Sequence, residues 1–204
     1  MPTLPAPDKY LGVPIEVLRQ HAGYAATDAT HDLEIDGAFA VSVQIVEEYL
    51  DRILAYGGYT ETVARFAGTT MSLKAYPIDL IDAVITNGGV EPEFVVSKEI
   101  GVVYLSAFLR ASELNCSYSG GFITVPGAIQ MALIGTYDNV LVTMSASGNG
   151  SANTIGQQLR ALSMDGMKME YQSFSGSGSA SADSFGYIPA AMLPMIDPYR
   201  REFA

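Results

Sequence analysis

The sequence predicts an α+β fold: two long helices plus short helices, a β-hairpin or small antiparallel sheet in the middle, and a flexible C-terminal extension. Three observations carry this reading. First, Ile35, Phe39, Val43, Val46, Leu50 and Ile53 recur at steps of four and three, the spacing of one helical face. Second, the stretch from Glu61 to Leu105 is rich in β-branched residues and is broken by Asn87-Gly88-Gly89, a turn signal. Third, a second apolar stripe of Ile129, Leu133, Tyr137, Val140 and Met144 follows Pro126, a residue suited to the first position of a helix.

Taken in order, the opening "MPTLPAPDKY" holds three prolines and predicts an extended arm. Pro14 to His21 predicts a short helix with Pro14 at its first position. The first long helix is expected from His31 to Arg52. Thr30 would cap it, and Asp32, Glu34 and Asp36 favour the positive end of its dipole. Strands are expected within Glu61–Gly68, Met71–Tyr76 and Ile78–Gly89. Phe94 to Leu105 reads as two short strands or one kinked strand with Gly101 at the bend, and Cys116–Phe122 as one more strand and turn. The second long helix covers "VPGAIQMALIGTYDNVLVTM". Gly127 and Gly135 lower its intrinsic stability, so packing must hold it.

Ser145 to Asn153 reads as a loop. Ile155, Leu159 and Leu162 suggest a turn or two of helix, and Met167, Met169 and Tyr171 alternate as a strand would. Ser173 to Gly186 is a linker by composition. A closing helix would start at Pro189 and be limited by Pro194 and Pro198. The organisation is thus an arm and short helix over 1–27, a core over 28–172, and a linker with a terminal segment over 173–204.

Composition narrows the function classes. Of 204 residues, 49% are hydrophobic and only 16% charged, enough apolar material for a real core. No apolar run approaches the roughly 18 residues of a membrane span, and no secretory signal is visible. Cys116 is the single cysteine, so an intramolecular disulfide is impossible. The formal net charge of −11 repels nucleic acid. It serves either solubility or a surface that must not stick to DNA close by.

Catalytic patterns are missing. His21 and His31 are the only histidines, and neither stands in an H-E-x-x-H pattern; no cysteine pair and no G-x-S-x-G elbow occur. "SGNGSANTIG" lacks the Lys-Ser/Thr ending of a phosphate loop. Glu47 and Glu48 point to different helix faces and do not form an acid–base pair. Met164, Met167 and Met169 fill a core or pack against a partner. No enzyme, metal or cofactor is expected. The alternative of another class is a small hydrolase with an unrecognised site, for which His31 beside Asp32 would be the residue to test.

The order of the pieces resembles the head–tail connector, or adaptor, proteins of tailed bacteriophages. The pieces are "IVEEYLDR" at Ile45 to Arg52, "YTETVARFAG", "YPIDLIDAVITNGG", "FVVSKEIGVVYL", "CSYSGGFITVP" leading into the second helix, and "PYRR" at Pro198 to Arg201. Together they cover roughly Asp28 to Arg201. The N-terminal arm and the Gly/Ser linker depart from the shorter members. The resemblance implies a mostly helical subunit with a β-hairpin or small sheet. It implies a homo-oligomeric ring, commonly a dodecamer, that binds the portal protein and a head-closure (stopper) or tail protein. Genomic DNA would pass through its channel without sequence-specific binding, and no membrane is involved. The expected location is the virion neck, after assembly in the host cytoplasm. A head-closure or tail-terminator protein is the alternative place in the same particle.

Two groups of residues are candidates under that resemblance. Met192, Leu193, Met195, Ile196, Tyr199, Arg200 and Arg201 would form a portal-docking peptide, its arginines meeting carboxylates bidentately. The other reading of this segment is that it folds back onto its own subunit. Glu47, Glu48 and Asp51 would face the channel or a subunit interface, the other reading being an ordinary solvated helix face.

Overall fold

The computed structural model describes residues 8–146 and 186–200. The expectations for the first seven residues, for the methionine stretch and linker, and for Arg201 lie outside the described residues. Among those described, four helices and two three-stranded antiparallel sheets form two units, each with its own apolar core.

The helical unit contains α1 (Ile15–His21), α2 (Asp32–Leu50), α3 (Gly127–Ala146) and the short α4 (Leu193–Ile196), followed by a 3-10 turn, Asp197–Tyr199. Of the expected stripe of α2, Ile35, Phe39, Val46 and Leu50 are buried and Val43 is half-buried, while Ile53 lies beyond the helix end; Ala38, Ser42, Ile45 and Tyr49 join the buried face. It packs on α3 through Ile129, Leu133, Tyr137 and Val140, four of the five residues expected there, with Met144 only partly buried at the far end. Small residues at Ala38, Ser42 and Ala132 let the two helices approach. The Ser42 hydroxyl is satisfied by the Ala38 carbonyl one turn back, at 2.9 Å.

The start of α2 corrects one expectation. His31 occupies the cap position without a side-chain bond, and the Thr30 hydroxyl instead donates to Asp28 at 2.6 Å. Asp32 is held from α1 by the fork of Arg19, at 2.8 and 2.7 Å, and the same guanidinium donates to the Ala26 carbonyl. A two-pronged ion pair therefore sets the loop between α1 and α2, a task the local capping argument did not include.

The β unit is one continuous stretch. Its strands are β1 (Gly57–Ala64), β2 (Ala67–Ser72), β3 (Ile78–Thr86), β4 (Phe94–Ser97), β5 (Val102–Arg110) and β6 (Glu113–Gly120). One sheet has the order β1-β6-β3 and the other β2-β5-β4. The sheets share a core of Met71, Leu73, Val84, Val103, Leu105, Leu114, Cys116 and Tyr118. Strands switch sheets at two neighbouring corners, Arg65-Phe66 and Ala111-Ser112. The corners are tied by Arg65 N–H to Ser112 O at 2.6 Å and Ala111 N–H to Phe66 O at 3.0 Å.

These corners explain where sequence boundaries failed. The expected strand Glu61–Gly68 spans the first corner, because Arg65 and Phe66 carry no Gly, Pro or Asn to signal a turn. The run Phe94–Leu105, by contrast, follows the first of its two readings: two strands joined by a turn ending at Gly101, whose φ is +66°, the second strand running on to Arg110. The sheet content exceeds the hairpin or small sheet expected.

The two units meet at a narrow junction. Ile53 bridges Ala75, and Ala55 bridges Phe122. Here Gly120 and Gly121 pass so close to other backbone that a Cβ on either would lie 2.1 Å from a carbonyl oxygen, of Ala75 and Ala55 respectively. Among the described residues no helix packs extensively on either sheet.

Candidate assembly surfaces

The terminal segment re-enters the helical unit. Ile188 and Ile196 are buried in its core. Asn139 donates to the Tyr187 carbonyl at 2.7 Å, and the Pro189 ring occupies the space left by the missing side chain of Gly135. That contact accounts for a glycine inside α3, which pattern alone read only as a cost. The Tyr49 hydroxyl of α2 donates to Asp197, the Arg200 guanidinium lies 4.9 Å over the Tyr49 ring, and Tyr199 meets Phe122 edge-on.

Of the residues assigned to docking, Ile196 is fully buried, while Met192, Leu193 and Tyr199 are half-buried against the same subunit. Met195 and Arg200 are exposed. The fold-back reading of the segment describes this geometry. A peptide led by Ile196 reaches another protein only by leaving this site.

Glu47, Glu48 and Asp51 have three different settings at the end of α2. Asp51 is left-handed, φ 50°, and closes the helix: its N–H goes to Glu48 O and that of Arg52 to Glu47 O. The Glu47 carboxylate accepts the Leu54 N–H at 2.7 Å. Burial pushes its carboxyl above the usual range, opposed by that bond. Glu48 alone of the three is exposed.

Sequence reasoning missed Arg52. It is buried at the junction, its guanidinium carbon 3.7 Å from the Tyr76 ring centre and 4.3 Å from that of Phe122, and it donates to the Tyr199 carbonyl at 3.3 Å. It joins helix, sheet and terminal segment. Its partners lie 24 to 147 positions away, so no local pattern announces it.

The side chains considered for chemistry are occupied structurally. His31 stacks on Tyr24 at 4.0 Å, Asp32 is gripped by Arg19, and His21 pairs with Asp138 at 2.9 Å. Cys116 is buried, and desolvation pushes its thiol up to about 12, far from a reactive thiolate. Among the described residues no three metal-ligating side chains cluster, and no helix is long and apolar enough to cross a membrane.

No protein-family model matches the chain, and no curated protein matches it. Solved structures do. A chain from the neck of an empty gene transfer agent particle, computed with C6 symmetry, is 12% identical with a TM-score of 0.55; the match covers 98% of this chain and 95% of that one. A chain from the virion of the native gene transfer agent particle is 13% identical, with the same TM-score and coverage. At such identity the shared property is the fold, and it extends over nearly the whole length of both chains.

Proposed function

We propose that this chain is a structural subunit of the neck of a phage-like particle, that it assembles as a ring around a DNA channel, and that it catalyses nothing. The observation that carries this reading is the end-to-end fold likeness to chains of gene transfer agent particles. The acidic balance supports it, since a channel wall that shuns phosphate lets DNA pass. Glu48 is the exposed carboxylate of the three at the end of α2, on the side where such a wall or a subunit contact would form.

Within the neck, the order of sequence pieces favours a head–tail adaptor below the portal, commonly a dodecamer, with the terminal segment as the portal-docking peptide. Met195 and Arg200 are then the first points of contact, and release of Ile196 from its own core completes docking. A second reading, a head-closure or tail-terminator protein, is favoured by the six strands in two sheets. That is more sheet than the mostly helical adaptors have.

The test is light scattering on the purified protein, alone and mixed with assembled portal from the same particle. A ring, or a monomer that joins the portal at fixed ratio, is the expected result. Binding to tail tube and none to portal moves the protein to the tail side of the neck. A monomer that binds neither overturns the reading.

A further inference from the structure

The far tip of the β unit carries two arginines with no ion pair among the described residues. Arg65 and Arg110 stand at the two neighbouring sheet-switching corners, both exposed. Ala67 pairs with Arg110, and the corners are bonded to each other, so the two cations share one tip. Arg65 holds φ at +54°, a conformation in which a non-glycine residue costs on the order of 1–2 kcal/mol. Glycine or asparagine would form that corner more easily, so the choice of arginine is not explained by the turn. Beside them Phe108 is 61% and Val90 60% exposed, and the Arg110 guanidinium lies 5.8 Å from the Phe108 ring. Glu113 and Glu91, the latter next to Val90, are exposed carboxylates at the same end, and neither makes an ion pair with either arginine.

The start of α2 is the complementary patch. Leu33 is 85% exposed, and Glu34 next to it, whose carboxylate lies 3.4 Å from the His31 ring nitrogen, still has a side chain 70% exposed. Asp28, Asp32 and Asp36 surround them and add negative potential, although Asp32 and Asp36 are already paired with Arg19 and Lys9. An exposed apolar residue ringed by carboxylates mirrors an exposed aromatic beside Arg110. The two patches belong to separate units. Each lies far from the junction: about 28 Å along the 19 residues of α2, and about 26 Å along the eight residues of β1.

We propose that these patches meet between copies of this chain: the Arg65–Arg110–Phe108 tip of one subunit seats on the Leu33–Glu34 start of α2 in the next. Two different patches on one subunit make the heterologous contact that a closed ring requires. Arginine and aromatic residues are the types that dominate protein interfaces, and the opposite charges steer and set the register. This rests on the ring reading above and specifies its contact.

The experiment is charge reversal read by light scattering of the full-length chain. Arg65→Glu with Arg110→Glu, and separately Glu34→Arg, each convert rings to monomers, with circular dichroism unchanged. Combining the three substitutions restores at least half of the ring population. Wild-type rings dissociate more readily at moderate salt than at low salt. Rings that persist in both reversed variants overturn the contact while leaving the neck reading intact. Rings that persist while binding to a DNA fragment is lost assign the tip to phosphate instead, and also overturn it. A wild-type chain that stays monomeric, alone and with portal, overturns both.

Discussion

The two units solve the same burial problem with opposite chain economies. The β unit is one uninterrupted stretch from Gly57 to Gly120, and its core residues meet through neighbouring strands. The helical unit collects three separate pieces, 8–53, 123–146 and 186–200, around Phe39, Leu133, Tyr137 and Ile196. The first is assembled from nearby sequence. The second needs its last piece to return from a distance. Its integrity therefore depends on contacts such as Ile196 in the core and Tyr49 on Asp197, whereas the β unit depends on none of them.

The sharpest way to break that division is at the place where it fails, the junction. Gly121→Ala puts a methyl group 2.1 Å from the Ala55 carbonyl, at a φ of +95°. A loss of about 3 kcal/mol or more is expected from overpacking and left-handed strain together. Urea unfolding should show both units giving way in the variant.

Next in size, Ile196→Ala is expected to cost about 2–4 kcal/mol. The loss should be confined to the helical unit: hydrogen exchange speeds up in α2 and α3 and stays unchanged in β6. A uniform increase across both units would show that the two cores unfold as one.

The smallest effect comes from Glu47→Gln, and its value lies in its pH dependence. Burial raises the Glu47 carboxyl from its ordinary value of 4.5, so its contribution is fully present below that pH and is lost as pH rises through the folded value. The Gln variant keeps an acceptor for Leu54 and should be slightly more stable than wild type at pH 7, with the advantage gone near pH 4. Asp32 and Asp36 have the opposite sign. Arg19 and Lys9 hold them below 3.8, so their contribution is present at neutral pH and fades as pH falls through the lowered values. Thermal melts across pH 3 to 8 separate the two behaviours.

Both long helices were legible, because α2 and α3 bury one stripe each and a stripe at helical spacing is a local pattern. The β unit was legible as strand-rich but not as a pair of sheets. Arg65-Phe66 and Ala111-Ser112 turn corners without turn residues, and which strand joins which sheet is decided by Leu114, Cys116 and Tyr118 packing across from Met71 and Val103. The candidate surfaces were least legible. Sequence picks out apolar and charged residues, but it does not say that Ile196 is spent in its own core or that Arg52 lies between two rings. Nor does it say that two arginines 45 positions apart share a tip. Those facts are long-range, and no spacing rule reaches them.

Gly57 pairs with Gly120, so the chain enters and leaves the β unit side by side. In engineering terms the unit is a cantilever clamped at its root. Adding two residues to each of its long strands extends the free end by about 7 Å without disturbing the helices that hold it. Strand length alone thus sets how far the tip stands from the helical core, while the paired root at Gly57 and Gly120 stays the same.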